Sequence, residues 1–117
     1  MPLRVTNVTR GRTLALRAHR ADSFWPRLVG LMGRPGLPDG EGLHILPCNG
    51  IHSFFMRFAF DALFLDRELR VVQCVEAMPP WRATPVYRVA QSVLELPAGT
   101  VAATGTAPGD VLSFEPM

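Results

Sequence analysis

Residues 58–78 read FAFDALFLDRELRVVQCVEAM. An almost wholly apolar stretch, FAFDALFLD, meets a charged turn at RE and returns as LRVVQCVEAM. Two β-rich runs joined this closely predict a hairpin, the clearest in the chain. A strand apolar on both sides must be covered on both faces, or lie with one face under a helix. The hairpin therefore requires a core built around it.

The rest of the chain is cut into short pieces by proline and glycine. LRVTNV (3–8) and TLALRAHRA (13–21) alternate and are joined by Arg10-Gly11, which predicts a second hairpin. DSFWPRLVGLMGRPG (22–36) predicts a short amphipathic helix. Asp22 or Ser23 would cap it, Pro26 falls in the first turn, and Phe24, Leu28, Leu31 and Met32 share one face. Gly33 would take a left-handed position at its end, and Pro35 cannot continue it. RPGLPDGEG and PPWRATP are loops. LHILP, RVAQSVLELP, TVAATG and the segment after the Gly109-Asp110 turn read as further strands. The expected fold is mainly β, a β-rich α+β arrangement. Its form would be a compact β-barrel or jelly-roll-like sandwich with one short amphipathic helix.

The chain has 117 residues, 48% hydrophobic and 19% charged, which fits a single domain over 1–117 with a well-supplied core. No apolar run approaches the ~20 residues that span a bilayer, and the N-terminus lacks an apolar signal region. A soluble, cytoplasmic protein without membrane association is the expectation. Cys48 and Cys74, the two cysteines, are expected to be reduced. All twelve basic residues are arginine. Residues 1–34 hold seven arginines and one acid, net +6, and residues 35–117 hold five arginines and nine acids, net −4.

Chemistry-bearing residues gather in HILPCNGIHSFFMRF (44–58). His44, Cys48 and His52 recur at intervals of four, a metal-site spacing on a helix. Pro47 and Asn49-Gly50 argue against a helix there, and there is no second motif such as a CxxC pair. No metal and no cofactor are expected. Cys48 and His52 could instead be a nucleophile and its base, with Asp61 or Glu95 orienting the imidazole. The plainer reading is a structural thiol and histidines bonded to backbone carbonyls.

Arg57 and Asp61 are opposite charges set among Met56, Phe58, Phe60, Leu63 and Phe64. On one straight strand they lie about 13 Å apart at ~3.3 Å per residue, too far to pair. Each needs a ligand, another side chain such as Glu95, Glu76 or Arg82, or backbone groups. In SVLELPAG, Leu94 and Leu96 face one way, and Val93, Glu95 and Pro97 the other. Glu95 is then either solvent-facing or the acid that meets Arg57. Trp81 beside Arg82 suits the rim of a pocket, or the stapling of a loop to the sheet. Asp110 is assigned to structure, bonding backbone N–H groups at its turn.

GLMGRPGL (30–37), CNGIHSFFMRFAFDALFLD (48–66), VLELPAGT (93–100) and GDVLSF (109–114) together resemble the domain-of-unknown-function 192 family. The resemblance runs in family order over roughly residues 3 to 115. The chain looks like the branch that reads Cys, then Ile-His-Ser/Thr, then Met-Arg-Phe. It departs at Phe55, where that branch carries a small residue, and at Ala59, where it carries Pro. Phe55 could then fill part of a cleft, and His44 matches no family motif. The resemblance implies a prokaryotic β-barrel or jelly-roll-like domain with one helix and implies no activity.

The reading that follows is a small-ligand-binding or accessory domain. Its cleft would lie near the 48–61 loop and strand, framed by Cys48, His52, Arg57, Asp61, Trp81 and Glu95. Arg57 would hold a small anionic ligand. A small enzyme using Cys48 and His52 is the alternative. An anion- or nucleic-acid-binding module built on the N-terminal arginines ranks last, because they lack interleaved aromatics. The sequence does not reach oligomeric state.

Overall fold

The computed structural model describes residues 2–23 and 30–117. Its strands are β1 (Leu3–Asn7), β2 (Arg12–Ala21), β3 (Glu41–Ile45), β4 (Phe60–Leu65), β5 (Val71–Met78), β6 (Ser92–Pro97) and β7 (Leu112–Pro116). One short helix among the described residues, α1, spans Thr100–Thr104. The seven strands form a single sheet in the order β5-β4-β6-β3-β2-β1-β7. The sheet curls into a half-barrel. Its edges meet where Arg70 bridges Val111, the Val71 N–H donates to the Asp110 carbonyl, and the Leu112 N–H donates to the Leu69 carbonyl.

Both predicted hairpins are present. β4 and β5 pair antiparallel, and β1 and β2 pair antiparallel around a turn with Gly11 at φ 65°. The β4–β5 turn is held by Asp66, whose Oδ1 accepts from the Glu68 and Arg70 N–H groups at 2.9 Å. β2 and β3 run parallel, from Arg17↔Glu41 to Ala21↔Ile45. A parallel pair needs a long crossover, and residues 22–40 supply it. Of the stretch 22–36 predicted to carry a helix, residues 24–29 lie outside the described residues. Residues 30–33 form a turn, with Gly33 at φ 76°.

Every residue of β4 is buried, as its unbroken apolar pattern requires. Leu63 and Leu65 join a cluster with Val5, Leu14, Leu94, Leu96 and Val101 inside the curl. Phe60, Ala62 and Phe64 join a second cluster, with Leu43, Ile45, Met56, Met78 and Val93, on the outer face. Two long connections, residues 46–59 and 79–91, cross that outer face and seal much of it. This is how both faces of one sheet come to be covered.

TVAATG is not the strand its Thr and Val residues suggested. It is α1, bracketed by Gly99 at φ 96° and Gly105 at φ 69°. Both glycines sit in the left-handed region, where other residues are strained, and they turn the chain into and out of the helix. The fully buried Asp61 anchors the segment. Its Oδ2 accepts from the Val101 N–H at 2.8 Å, satisfying a donor that a helix start leaves without a partner. Its Oδ1 accepts from the Ala77 N–H at 2.8 Å, where the β4–β5 register slips between Phe60 and Ala62.

Asp110 has the structural role expected of it. Its Oδ2 accepts from the Ala107 N–H, the Asn7 Nδ2 and the Arg10 Nε. The bond from Arg10 is the largest influence holding its carboxyl down at about 2.

Candidate functional site

The two connections over the outer face are laced together by backbone hydrogen bonds. Ser53 N–H donates to the Arg82 carbonyl at 2.7 Å, Thr84 N–H to the Ile51 carbonyl at 2.8 Å, and Tyr87 N–H to the Asn49 carbonyl at 2.9 Å. Ser53 is the fully buried hub. Its Oγ donates to the Pro79 carbonyl at 2.6 Å and accepts from the Arg82 N–H at 2.9 Å. The Thr84 hydroxyl accepts from the Ile51 N–H at 3.0 Å. Buried main chain in irregular segments needs such partners, so these small hydroxyl residues hold the site wall in place. Neither Ser53 nor Thr84 stands out by residue type or spacing. Ser53 lies within a stretch singled out for other reasons.

Between this wall and the sheet lies a cleft of about 80 Å³. β3 contributes Ile45, and β6 contributes Glu95, directly opposite Leu43 in the β3–β6 register. The 48–56 connection contributes Cys48, Ile51, His52 and Met56, and residues 30–32 close another side with Leu31 and Met32. The lining is mostly apolar, with one carboxyl, one thiol and one imidazole.

Three of the residues expected at a site line this cleft together: Cys48, His52 and Glu95. The Cys48 thiol donates to the Gly50 carbonyl at 3.2 Å, and its N–H donates to the Gln91 carbonyl. Cys48 also lines a neighbouring depression with Arg88 and Gln91. His52 is exposed at the mouth. Its Nδ1 accepts from the Phe54 N–H at 3.2 Å, and its ring stacks on Phe54.

The other three do not line the cleft. Asp61 is engaged on the inner face, as described above. Arg57 is exposed, next in the chain to the lining Met56. Trp81 is 56% exposed, packed against Phe54 and Phe55 at ring distances of 6.0 and 4.9 Å. Phe55 does not fill the cleft. At φ 66° it points outward and is 62% exposed.

Glu95 is the chemically unusual group. It is 4% exposed, and among the described residues its carboxyl takes no hydrogen bond. Burial pushes its pKa up to about 8, against a smaller downward pull from the Arg34 guanidinium. At neutral pH it is therefore mostly a neutral acid, able to donate one O–H. Asp61 and Glu95 sit one residue apart in the β4–β6 register, and so on opposite faces of the sheet.

His44 is also on the inner side, one residue along β3 from Leu43, and stacks on Phe114 at 4.4 Å. Burial, helped by Arg20, lowers its pKa to about 4. It does not converge with Cys48 and His52. Among the described residues no group of three His, Cys, Asp or Glu side chains could hold a metal ion. Cys74, not bridged to Cys48, has its pKa raised by burial to about 11. Among the described residues no helix is long and apolar enough to cross a membrane.

Residues 5–114 match the model of the domain-of-unknown-function 192 (DUF192) family, described as "Uncharacterized ACR". UPF0127 protein PF1050 of Pyrococcus furiosus is 33% identical over 116 residues, covering 95% of this chain and 97% of that one. A crystal structure of a protein of unknown function from Novosphingobium aromaticivorans superposes with a TM-score of 0.82 at 27% identity. It covers 97% of this chain and 84% of that one. A structure from Sinorhizobium meliloti, of a protein named a candidate transcription regulator, also gives a TM-score of 0.82. Its identity is 26%, with 96% of this chain and 91% of that one covered.

Proposed function

The chain belongs to the domain-of-unknown-function 192 family, and from that premise we propose that it is a small-ligand-binding domain whose cleft receives a carboxylate. The observation that carries this reading is Glu95, a residue 4% exposed whose carboxyl lines the cleft and takes no hydrogen bond from the described residues. A carboxyl that opens on a narrow cleft and takes no bond from the protein is poorly served there, and a ligand that bonds to it supplies the missing partner. A neutral carboxylic acid donates to an anion, where an ionised one would repel it. The Arg34 guanidinium, whose charge acts on Glu95, favours the same sign of ligand. The apolar walls suit a short hydrocarbon part. Arg57 and Trp81, both exposed, serve the approach rather than the cleft itself.

The test is thermal stabilisation by acetate, propionate and butyrate, matched for ionic strength with chloride. We expect these carboxylates to raise Tm at pH 6 and to lose that effect by pH 9, where Glu95 is ionised. Glu95→Leu should abolish it at both pH values. Equal stabilisation at pH 6 and 9, or an undiminished response in Glu95→Leu, would refute the reading.

Cys48 and His52 line the same cleft, which supports a second reading as a thiol-dependent enzyme acting on the bound molecule. An activated nucleophile would be alkylated by iodoacetamide at pH 6.5 much faster than a reference thiol of pKa ~8.5. A Cys48 rate matching that reference removes this second reading.

A further inference from the structure

The cleft is too small for an ordinary metabolite. At about 80 Å³ it falls well below the roughly 300–1,000 Å³ of pockets that enclose a drug-sized ligand. Whatever places a head group there must extend the rest of itself outside.

One continuous path leads out. His52 lines the cleft and stacks on Phe54, with ring centroids 5.0 Å apart. Phe54 meets Trp81 at 6.0 Å, and Trp81 meets Phe55 edge-on at 4.9 Å. All four rings are exposed. Phe55 and Trp81 are held in the left-handed region, at φ 66° and 64°, which bulky residues rarely adopt. Their backbones are fixed there: the Phe55 carbonyl accepts from the Gly33 N–H, and the Trp81 N–H donates to the Ser53 carbonyl. Strain of this kind persists only where the surroundings impose it. Here it turns two large rings outward when burial would be the favourable place for them.

The charge along these connections has one sign. Residues 46–60 and 77–94 contain Arg57, Arg82 and Arg88 and no Asp or Glu. A second copy of the chain would bring like charges together, so self-association through this strip is disfavoured. An anionic molecule with an apolar body meets both features at once.

We propose that the ligand is an amphipathic monocarboxylate, with its carboxylate in the cleft beside Glu95 and its apolar body along the His52–Phe54–Trp81–Phe55 strip. This rests on the carboxylate reading of the cleft and adds the class of molecule that carries the carboxylate. The same chemistry occurs in a free organic acid with a long apolar chain and in a polypeptide C-terminus with apolar last residues.

The experiment is titration of the full chain with acetate, butyrate, hexanoate and octanoate at pH 6.5, all below their micellar concentrations. Affinity should rise roughly two- to fourfold per methylene added beyond butyrate, as body is laid on the strip. Trp81→Ala and Phe54→Ala should flatten that rise and leave acetate binding unchanged. Circular dichroism establishes that each variant is folded, and two separate substitutions guard against one of them failing. An affinity independent of chain length, with short acids still binding through Glu95, overturns the strip and leaves the cleft reading standing. Octanoate binding unaltered by Glu95→Leu, with acetate and butyrate silent, overturns both. An N-acetylated tripeptide ending in Phe, as free acid and as amide, separates the sources. Tighter binding than octanoate that is lost on amidation assigns the polypeptide terminus, and weaker binding assigns the free acid.

Discussion

Asp61 and Glu95 are near neighbours with opposite fates. They lie on adjacent strands, β4 and β6, one residue apart in register and therefore on opposite faces of one sheet. Both are buried. Asp61 accepts two backbone N–H bonds, from Ala77 and Val101, each at 2.8 Å. Glu95 accepts none from a side chain or main chain among the described residues, and its pKa is raised to about 8. On the inner face of the curl Asp61 is a structural fastener, as Asp110 is in the turn before β7. The outer face keeps one carboxyl unspent, beside a cleft. Burial alone does not mark a functional acid. What separates the two is whether the fold supplies their partners.

The largest test of that contrast is Asp61→Ala. It removes a buried acceptor and leaves the Ala77 and Val101 N–H groups unsatisfied. Val101 is buried, so its orphaned donor costs about 1–3 kcal/mol; Ala77 is exposed and loses only a hydrogen bond of about 0.5–1.5 kcal/mol, so the loss should be about 2–4 kcal/mol in urea denaturation. The start of α1 should also lose amide protection. A loss below about 1 kcal/mol would mean that water or a shift of the main chain replaces the carboxylate, and the inner face would not be sealed as described.

The second test uses pH and reads Glu95. An acid whose pKa is raised on folding holds its proton in the folded chain when the unfolded chain has already released it. Its contribution is complete below the ordinary value of 4.5 and is lost as pH rises to about 8. Between pH 6 and 8 that is a fall of about 2–3 kcal/mol, on the order of one proton over two pH units. Glu95→Gln, which stays neutral, should flatten the profile across that interval and be the more stable protein at pH 8. A wild-type profile that is already flat would mean that Glu95 has a partner in solution.

These two residues also show what a sequence reveals. Alternation along SVLELP correctly sets Glu95 with Val93, against Leu94 and Leu96, because side-chain direction in a strand has period two. Whether that face meets water or protein depends on residues 46–59 and 79–91, whose paths no local pattern encodes. The apolar run of β4 announced a strand covered on both sides for the same reason of period. The partners of Asp61 lie 16 and 40 residues away in the chain, and no local spacing connects them. TVAAT was misread because Thr and Val favour strands, while its helix is imposed by Gly99, Gly105 and the distant Asp61. Of the site, the sequence placed Cys48, His52 and Glu95 in one cleft with Arg57, Asp61 and Trp81. The fold keeps the first three together and sends the others elsewhere, because covalent neighbours such as Met56 and Arg57 need not face the same way.

The smallest expected effect concerns a phenylalanine, and it sharpens the same contrast between a sealed face and an open one. Phe64 is fully buried and packs edge-on against Tyr87, so its truncation to Ala belongs to the class that costs about 3–5 kcal/mol. Phe55 is the same residue type in an open position, 62% exposed and at φ 66°. Phe55→Gly removes the edge contact with Trp81, worth about 0.5–1.5 kcal/mol. It also relieves a left-handed backbone that costs a side-chain-bearing residue about 1–2 kcal/mol, and it adds freedom to the unfolded chain. These terms oppose one another and are similar in size, so the melting free energy should move by less than about 1 kcal/mol in either direction. A loss of 2 kcal/mol or more would make the Phe55 ring a packing element, and the strip beside the cleft would be part of the core. A near-neutral result leaves a large ring held outward at a cost in strain, with no return in stability to account for it.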